Sequence, residues 1–238
     1  MDDEVKNSVS NSLDVAFQLK EPAKKIINEN DMLNEKQKKV ANFALDHEKL
    51  TKDVVNFAME DGEEFGNNIH DFSEKEKNAV NYAKFAKENK EPINKLVDIA
   101  LDNKDSIKDA VNECDGGIKK VTNIALDHEK LTKDVANLTL EQGENVATAL
   151  DNFSKKENKN IMEYTKLGLS LYEPIHECQD VIFDNKEQVK EIIDDNVEDG
   201  ALKEVMKFGL RHETLTRTTV EVVNFCASKM VNDGCSIF

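Results

Sequence analysis

The residues of this chain best suited to covalent chemistry are its last four, Cys235-Ser-Ile-Phe238. A cysteine four from a terminal carboxylate, followed by a small or aliphatic pair, is the pattern that directs thioether prenylation, and Phe in the last position favours geranylgeranyl. Residues 232–238, with Gly234 next to the cysteine, are expected to form a flexible tail that a transferase can reach. One lipid chain anchors only marginally. No polybasic second signal accompanies it, since Lys229 is offset by Asp233. Cys226 is a second candidate, for reversible acylation, although its place on an apolar helix face predicts a buried thiol. With Cys114 and Cys178 the cysteines number four, and none forms the C-x-x-C spacing of a zinc or redox pair.

The histidines are the next candidates. The string Ala44-Leu-Asp-His-Glu-Lys-Leu-Thr-Lys-Asp-Val54 recurs unchanged at Ala125 to Val135, and a looser copy begins at Leu210 as Leu-Arg-His-Glu-Thr-Leu-Thr. A zinc-protease helix needs a second His four residues on so that both rings face one metal. Here the fourth position holds Thr51, Thr132 or Thr216. His47, His128 and His212 are therefore expected on helix–helix seams, hydrogen-bonded across a bundle. The charged residues Asp46, Glu48, Lys49 and Lys52, repeated as Asp127, Glu129, Lys130 and Lys133, are the candidate interaction surface.

Other constellations fail on spacing. Glu173-Pro-Ile-His176 has the Glu-x-x-His spacing of paired-metal bundles, but the matching position of the preceding copy is Asn94, and such a site needs two of these motifs plus two further Glu. In Asp195-Asn-Val-Glu-Asp-Gly200 a calcium loop would need oxygen ligands where Val197 and Met206 stand. Phosphate-cradling loops and nucleophile elbows are missing. No catalytic residue, metal or cofactor is expected, and the chain reads as non-enzymatic.

The elements that must position these residues follow from periodicity. Val40, Phe43, His47, Leu50, Val54 and Phe57 alternate three- and four-residue steps, as do Val121, Ile124, His128, Leu131, Val135 and Leu138; this is a heptad seam on one helix face. The Thr- and Val-rich stretch 216–223 would suit a strand alone, but its likeness to the other copies predicts helix. Capping boxes are expected at Ser73-Glu-Lys-Glu76 and Ser154-Lys-Lys-Glu157, and breaks at 28–34, at Asp115-Gly-Gly117 and at Glu198-Asp-Gly200. The expectation is an all-α chain of about six long antiparallel helices, roughly 3–29, 35–72, 74–114, 118–152, 155–196 and 201–231. These make three hairpin repeats (1–72, 73–152, 153–231) within one elongated domain, 1–231. Pro22, Pro92 and Pro174 fall inside alternate helices and should kink them, and Gly62 and Gly143 are candidate flex points.

Composition narrows the partners. A formal net charge of −16, with arginine only at Arg211 and Arg217, opposes nucleic-acid binding, which needs a basic stripe. No apolar run approaches the ~20 residues of a membrane-spanning helix, and Met1-Asp-Asp-Glu-Val-Lys lacks a secretory signal. The expected protein is a helical-repeat adaptor or scaffold that binds other proteins, peripheral on a cytosolic membrane face through Cys235. In an intracellular bacterium the same box would act after delivery to a host cytosol. The alternative is an amphipathic bundle that opens on lipid surfaces.

Overall fold

The computed structural model describes residues 3–112 and 114–232. Cys235, the expected prenylation site, and the tail around it lie outside the described residues. Within them the chain is all α-helical. The helices are α1 (Asp3–Gln18), α2 (Lys20–Glu29), α3 (Glu35–Asp46), α4 (Glu48–Glu60), α5 (Gly62–Ser73), α6 (Ala79–Glu88), α7 (Lys90–Asp102) and α8 (Lys104–Val111). They continue with α9 (Gly116–Asp127), α10 (Glu129–Ser154), α11 (Ile161–Ser170), α12 (Tyr172–Asp184), α13 (Lys186–Asn196), α14 (Ala201–Arg211) and α15 (Glu213–Asn232).

Fifteen helices among the described residues replace the six read from periodicity, because single residues interrupt the long segments. His47, His128 and His212 have φ/ψ of −118/65, −117/62 and −114/55, whereas a helix needs ψ near −42°. The backbone bond into each break survives (His47 N–H to Phe43 O, 3.1 Å), and so does the bond out of it (Thr51 N–H to His47 O, 3.0 Å). Asn89, Asn103 and Asn185 break their helices too, with ψ of 29, 33 and 27. All three are buried, and the side-chain amide of each donates back to the carbonyl four residues earlier, on Phe85, Ile99 and Val181. Burying an amide is tolerable only with its hydrogen bonds made, and an opened turn leaves carbonyls in need of donors.

Leu19, Asn89 and Leu171 break the chain three residues before Pro22, Pro92 and Pro174. Proline lacks an N–H and crowds the carbonyl four residues back, but in a helix's first turn that N–H would be unpaired anyway. Helix α10 runs through Gly143 unbroken, and Gly62 directly follows a break at Asp61. The Ser capping boxes do not form. Asn78 and Asn160 cap α6 and α11, accepting from Asn81 N–H and Glu163 N–H. Ser73 and Ser154 instead end α5 and α10, their hydroxyls donating to the His70 and Asp151 carbonyls. Asn caps a helix as well as Ser does, so the later Asn could compete. A capping box with both bonds present joins Asn34 and Gln37.

The chain divides into two compact units, one holding residues up to Glu74 and Glu91–Asn123, the other Lys75–Lys90 and the chain from Ile124 onward. In the first, α1 packs on α4 and α2 on α3, around the buried Leu45, Leu50 and Leu101. In the second, α10 packs against α6, α11 and α12, α15 packs on α11 and α12, and α13 packs on α14. Leu126, Leu140, Ile193 and Leu210 are its buried apolar side chains.

The heptad seam through the histidines describes the buried face only in part: Leu50 is buried and Phe43 and His47 are half-buried, but its valines are not covered. Val40, Val121 and Val205 are 69%, 68% and 67% exposed, while Leu45, Leu126 and Leu210, each two residues before a His, are buried. A seam needs continuous helical rotation, and the change of ψ at the histidine re-phases the chain. The leucine nearest the break, not the valine seven residues before it, then sets the inward face.

Candidate functional site

The repeated string has a local structural reason. In an unbroken helix a Thr hydroxyl reaches the carbonyl three or four residues back. Here Thr51 donates to Ala44 O at 2.8 Å, Thr132 to Ala125 O at 2.6 Å and Thr216 to Gly209 O at 3.1 Å, each seven residues back. That reach requires the opened turn at the intervening histidine. The rings of His47 and His212 lie against Phe43 and Phe208, with centroids 4.1 and 4.2 Å apart. His47 and His128 are half-buried and His212 is exposed. His47 Nδ1 lies 2.9 Å from Ser106 Oγ, and its Nε2 lies 4.0 Å from Asp109 Oδ2.

Charged residues of the string supply two of the three polar bridges that form a ladder in each unit. Lys49 Nζ donates to Asp102 O (2.8 Å), Asn103 Nδ2 to Asp53 Oδ2 (2.7 Å), and Lys95 Nζ to Asp61 Oδ2 (2.8 Å). In register on α10 and α12, Lys130 Nζ donates to Asp184 O (3.0 Å), Asn185 Nδ2 to Asp134 Oδ2 (2.7 Å), and Gln142 Nε2 to Glu177 Oε1 (2.8 Å). Lys49 and Lys130, expected as part of a displayed surface, thus tie a helix to its neighbour. Asp46 receives Lys20 and Lys24 at 2.7 and 2.6 Å, and those hydrogen bonds, Lys20 first, hold its carboxyl below the usual aspartate range. Lys52 bridges Asp14 and Glu48 at 2.8 and 2.7 Å, which raises its own proton affinity. Lys133 pairs with Glu129 at 3.3 Å, and Asp127 is exposed at the end of α9.

The third copy changes the ladder positions. Thr214, Thr218 and Cys226 stand where α10 has Lys130, Asp134 and Gln142. The face they lie on is open: Phe225 is 63% exposed and Val222 54%. Cys226, expected to be a buried thiol, is exposed, as are Cys114 and Cys178.

Beside that face, α11, α12 and α15 enclose an apolar groove of about 600 Å³, to which Ile161, Tyr164 and Gly168 of α11 and Thr219, Val223 and Cys226 of α15 contribute. Position-by-position reading of the sequence missed it, because it needs two helices brought together across a fifty-residue separation. One signal was present: the Thr- and Val-rich composition of 216–223, neutral within an acidic chain. Among the described residues no group of three or more His, Cys, Asp or Glu side chains is placed to hold a metal ion. Among them, too, no helix is long and apolar enough to cross a membrane. No protein-family model, curated protein or solved structure matches the chain.

Proposed function

We propose that the protein is a non-enzymatic adaptor: an array of three helical hairpins, repeating about every 81 residues with proline-bent alternate arms, tethered to a cytosolic membrane face through Cys235. The observation that carries this reading is the terminal Cys-Ser-Ile-Phe box in a chain of amphipathic helices. The Cys235 sulfur displaces diphosphate from an isoprenyl diphosphate, a C–S thioether forms, and the thiol proton leaves with the diphosphate released. Glu48, Asp127 and Glu129 are exposed and would form part of the surface that a protein partner meets. Intact mass of the protein purified from eukaryotic cells tests the tether. A mass increase of one isoprenoid, lost in Cys235→Ser together with membrane residence, is the expected result; unmodified wild-type protein in the soluble fraction refutes it.

The exposed apolar stripe of α15 favours a second reading, an amphipathic bundle that binds lipid directly. Flotation of unmodified recombinant protein with neutral liposomes separates the two, since the adaptor needs its isoprenoid to bind and the bundle does not.

A further inference from the structure

The groove between α11, α12 and α15 is built for an apolar ligand, and the same α15 that forms one wall leads towards the candidate lipidation site. Its volume of about 600 Å³ falls within the roughly 300–1,000 Å³ of small-ligand pockets. Ile161 and Val223 on its walls are 81% and 62% exposed, in a chain of net charge −16. Thr219, Val223 and Cys226 succeed one another by helical turns, so the groove runs along α15 towards its C-terminal end. Gly168 widens the opposite wall: a Cβ placed there would meet no atom within 4 Å.

We propose that this groove holds the isoprenoid carried on Cys235, so that the protein in solution shelters its own anchor. The inference rests on the prenylation reading above. Helix α15 ends at Asn232, six residues or about 9 Å of helix past Cys226, and Cys235 follows three residues later, a reach of about 10 Å when extended, enough for the thioether to return to the Cys226 end of the groove. A single lipid chain partitions only reversibly into a bilayer, so a groove that covers it competes with the membrane on comparable terms. A second copy of the chain is the competing occupant, disfavoured by the net charge of −16 that each copy carries and tested by light scattering. A bilayer is the other alternative, tested by the liposome flotation described above. The groove therefore sets how much of the prenylated protein is membrane-bound, and a partner that closes or reshapes it releases the anchor.

The test uses the full chain carrying Cys235→Ser, which leaves the groove free, and a fluorescent S-geranylgeranyl-cysteine methyl ester. Saturable one-to-one binding is expected. Gly168→Leu should weaken it by at least about tenfold, a loss of ~1.4 kcal/mol, with helicity unchanged because the new side chain enters open space and leucine is the better helix former. Val223→Glu should act in the same direction. Non-saturable binding, or binding indifferent to both substitutions, overturns the proposal. A dimer in light scattering that Gly168→Leu dissociates also overturns it, by making the groove an interface between copies. The two readings fail separately. An isoprenoid in the mass spectrum without probe binding removes the groove and leaves the tether; probe binding without isoprenoid in the mass spectrum removes the tether, and the self-sheltering with it.

Discussion

Helices α10 and α15 each begin one residue after a histidine break, yet they treat the same register positions in opposite ways. On α10, Lys130, Asp134 and Gln142 are bridged to α12 and to Asn185. On α15 those positions are Thr214, Thr218 and Cys226, and the neighbouring Val222 and Phe225 are open. The contrast lies at these register positions: α10 joins α12 there through hydrogen-bonded polar side chains, and α15 presents apolar side chains to solvent.

The sharpest break of that comparison pairs a buried residue of α10 with an exposed one of α15. Leu140 is 3% exposed, and Leu140→Ala should cost about 2–4 kcal/mol in urea unfolding, as large-to-small core changes do. Phe225→Ala should fall within about 0.5 kcal/mol, as substitutions away from packed sites do. A comparable loss at both positions would mean that Phe225 is packed in solution and that the face is not open.

Next in size is the middle rung of the ladder. Asn185 is buried and donates to both Asp134 and Val181 O. Asn185→Ala removes both bonds, and also the one its Oδ1 accepts from Lys130, and should cost about 1–3 kcal/mol. Thr218→Asp on α15, which restores the carboxylate without a partner, should leave stability unchanged. Equal effects at the two sites would show that register, not bridging, controls the difference.

How much of this was legible in the residues differs between elements. Helical character was, because apolar steps of three and four persist along the chain, and so was the recurrence of the His string. The breaks at the histidines were not. The change sits in one ψ angle, and a Thr four residues after a His looks the same in a straight helix as in an opened one. The charged residues of the string were read as a displayed face for a similar reason: Lys49 and Asp53 find Asp102 and Asn103 some fifty residues away, a pairing that no local pattern announces. The groove was not legible either, because it depends on α11 meeting α15.

Thr132→Val tests the break itself. The hydroxyl bond to Ala125 O is lost while the branched shape is kept, and a cost of roughly 1 kcal/mol is expected. Thr216→Val should cost less, since the contact of Thr216 with Gly209 O is longer, at 3.1 Å against 2.6 Å. Amide exchange near Ala125 should quicken in the first variant. If neither exchange nor stability responds, the hydroxyl does not hold the break.

The smallest effect expected is electrostatic, and its sign follows from which charge state the fold prefers. Lys207 holds the Asp194 carboxyl below the usual range, and Lys203 does the same to Asp199. In the other unit Lys20, then Lys24, lowers Asp46. A carboxyl whose folded pKa is depressed binds protons more readily when unfolded. Its contribution is therefore complete above the ordinary carboxylate value of about 4 and is lost as pH falls through the depressed folded value. The lysines act in the opposite direction: Lys95 and Lys203 are raised by Asp61 and Asp199, so their contribution is complete below the ordinary lysine value and lost as pH rises through the raised one. Between these limits stability should be flat. All of these groups are solvent-screened, so added salt should shrink both flanks. Urea melts across pH at low and high salt check this. Flanks that added salt leaves unchanged would refute the assignment of the pH dependence to these surface pairs.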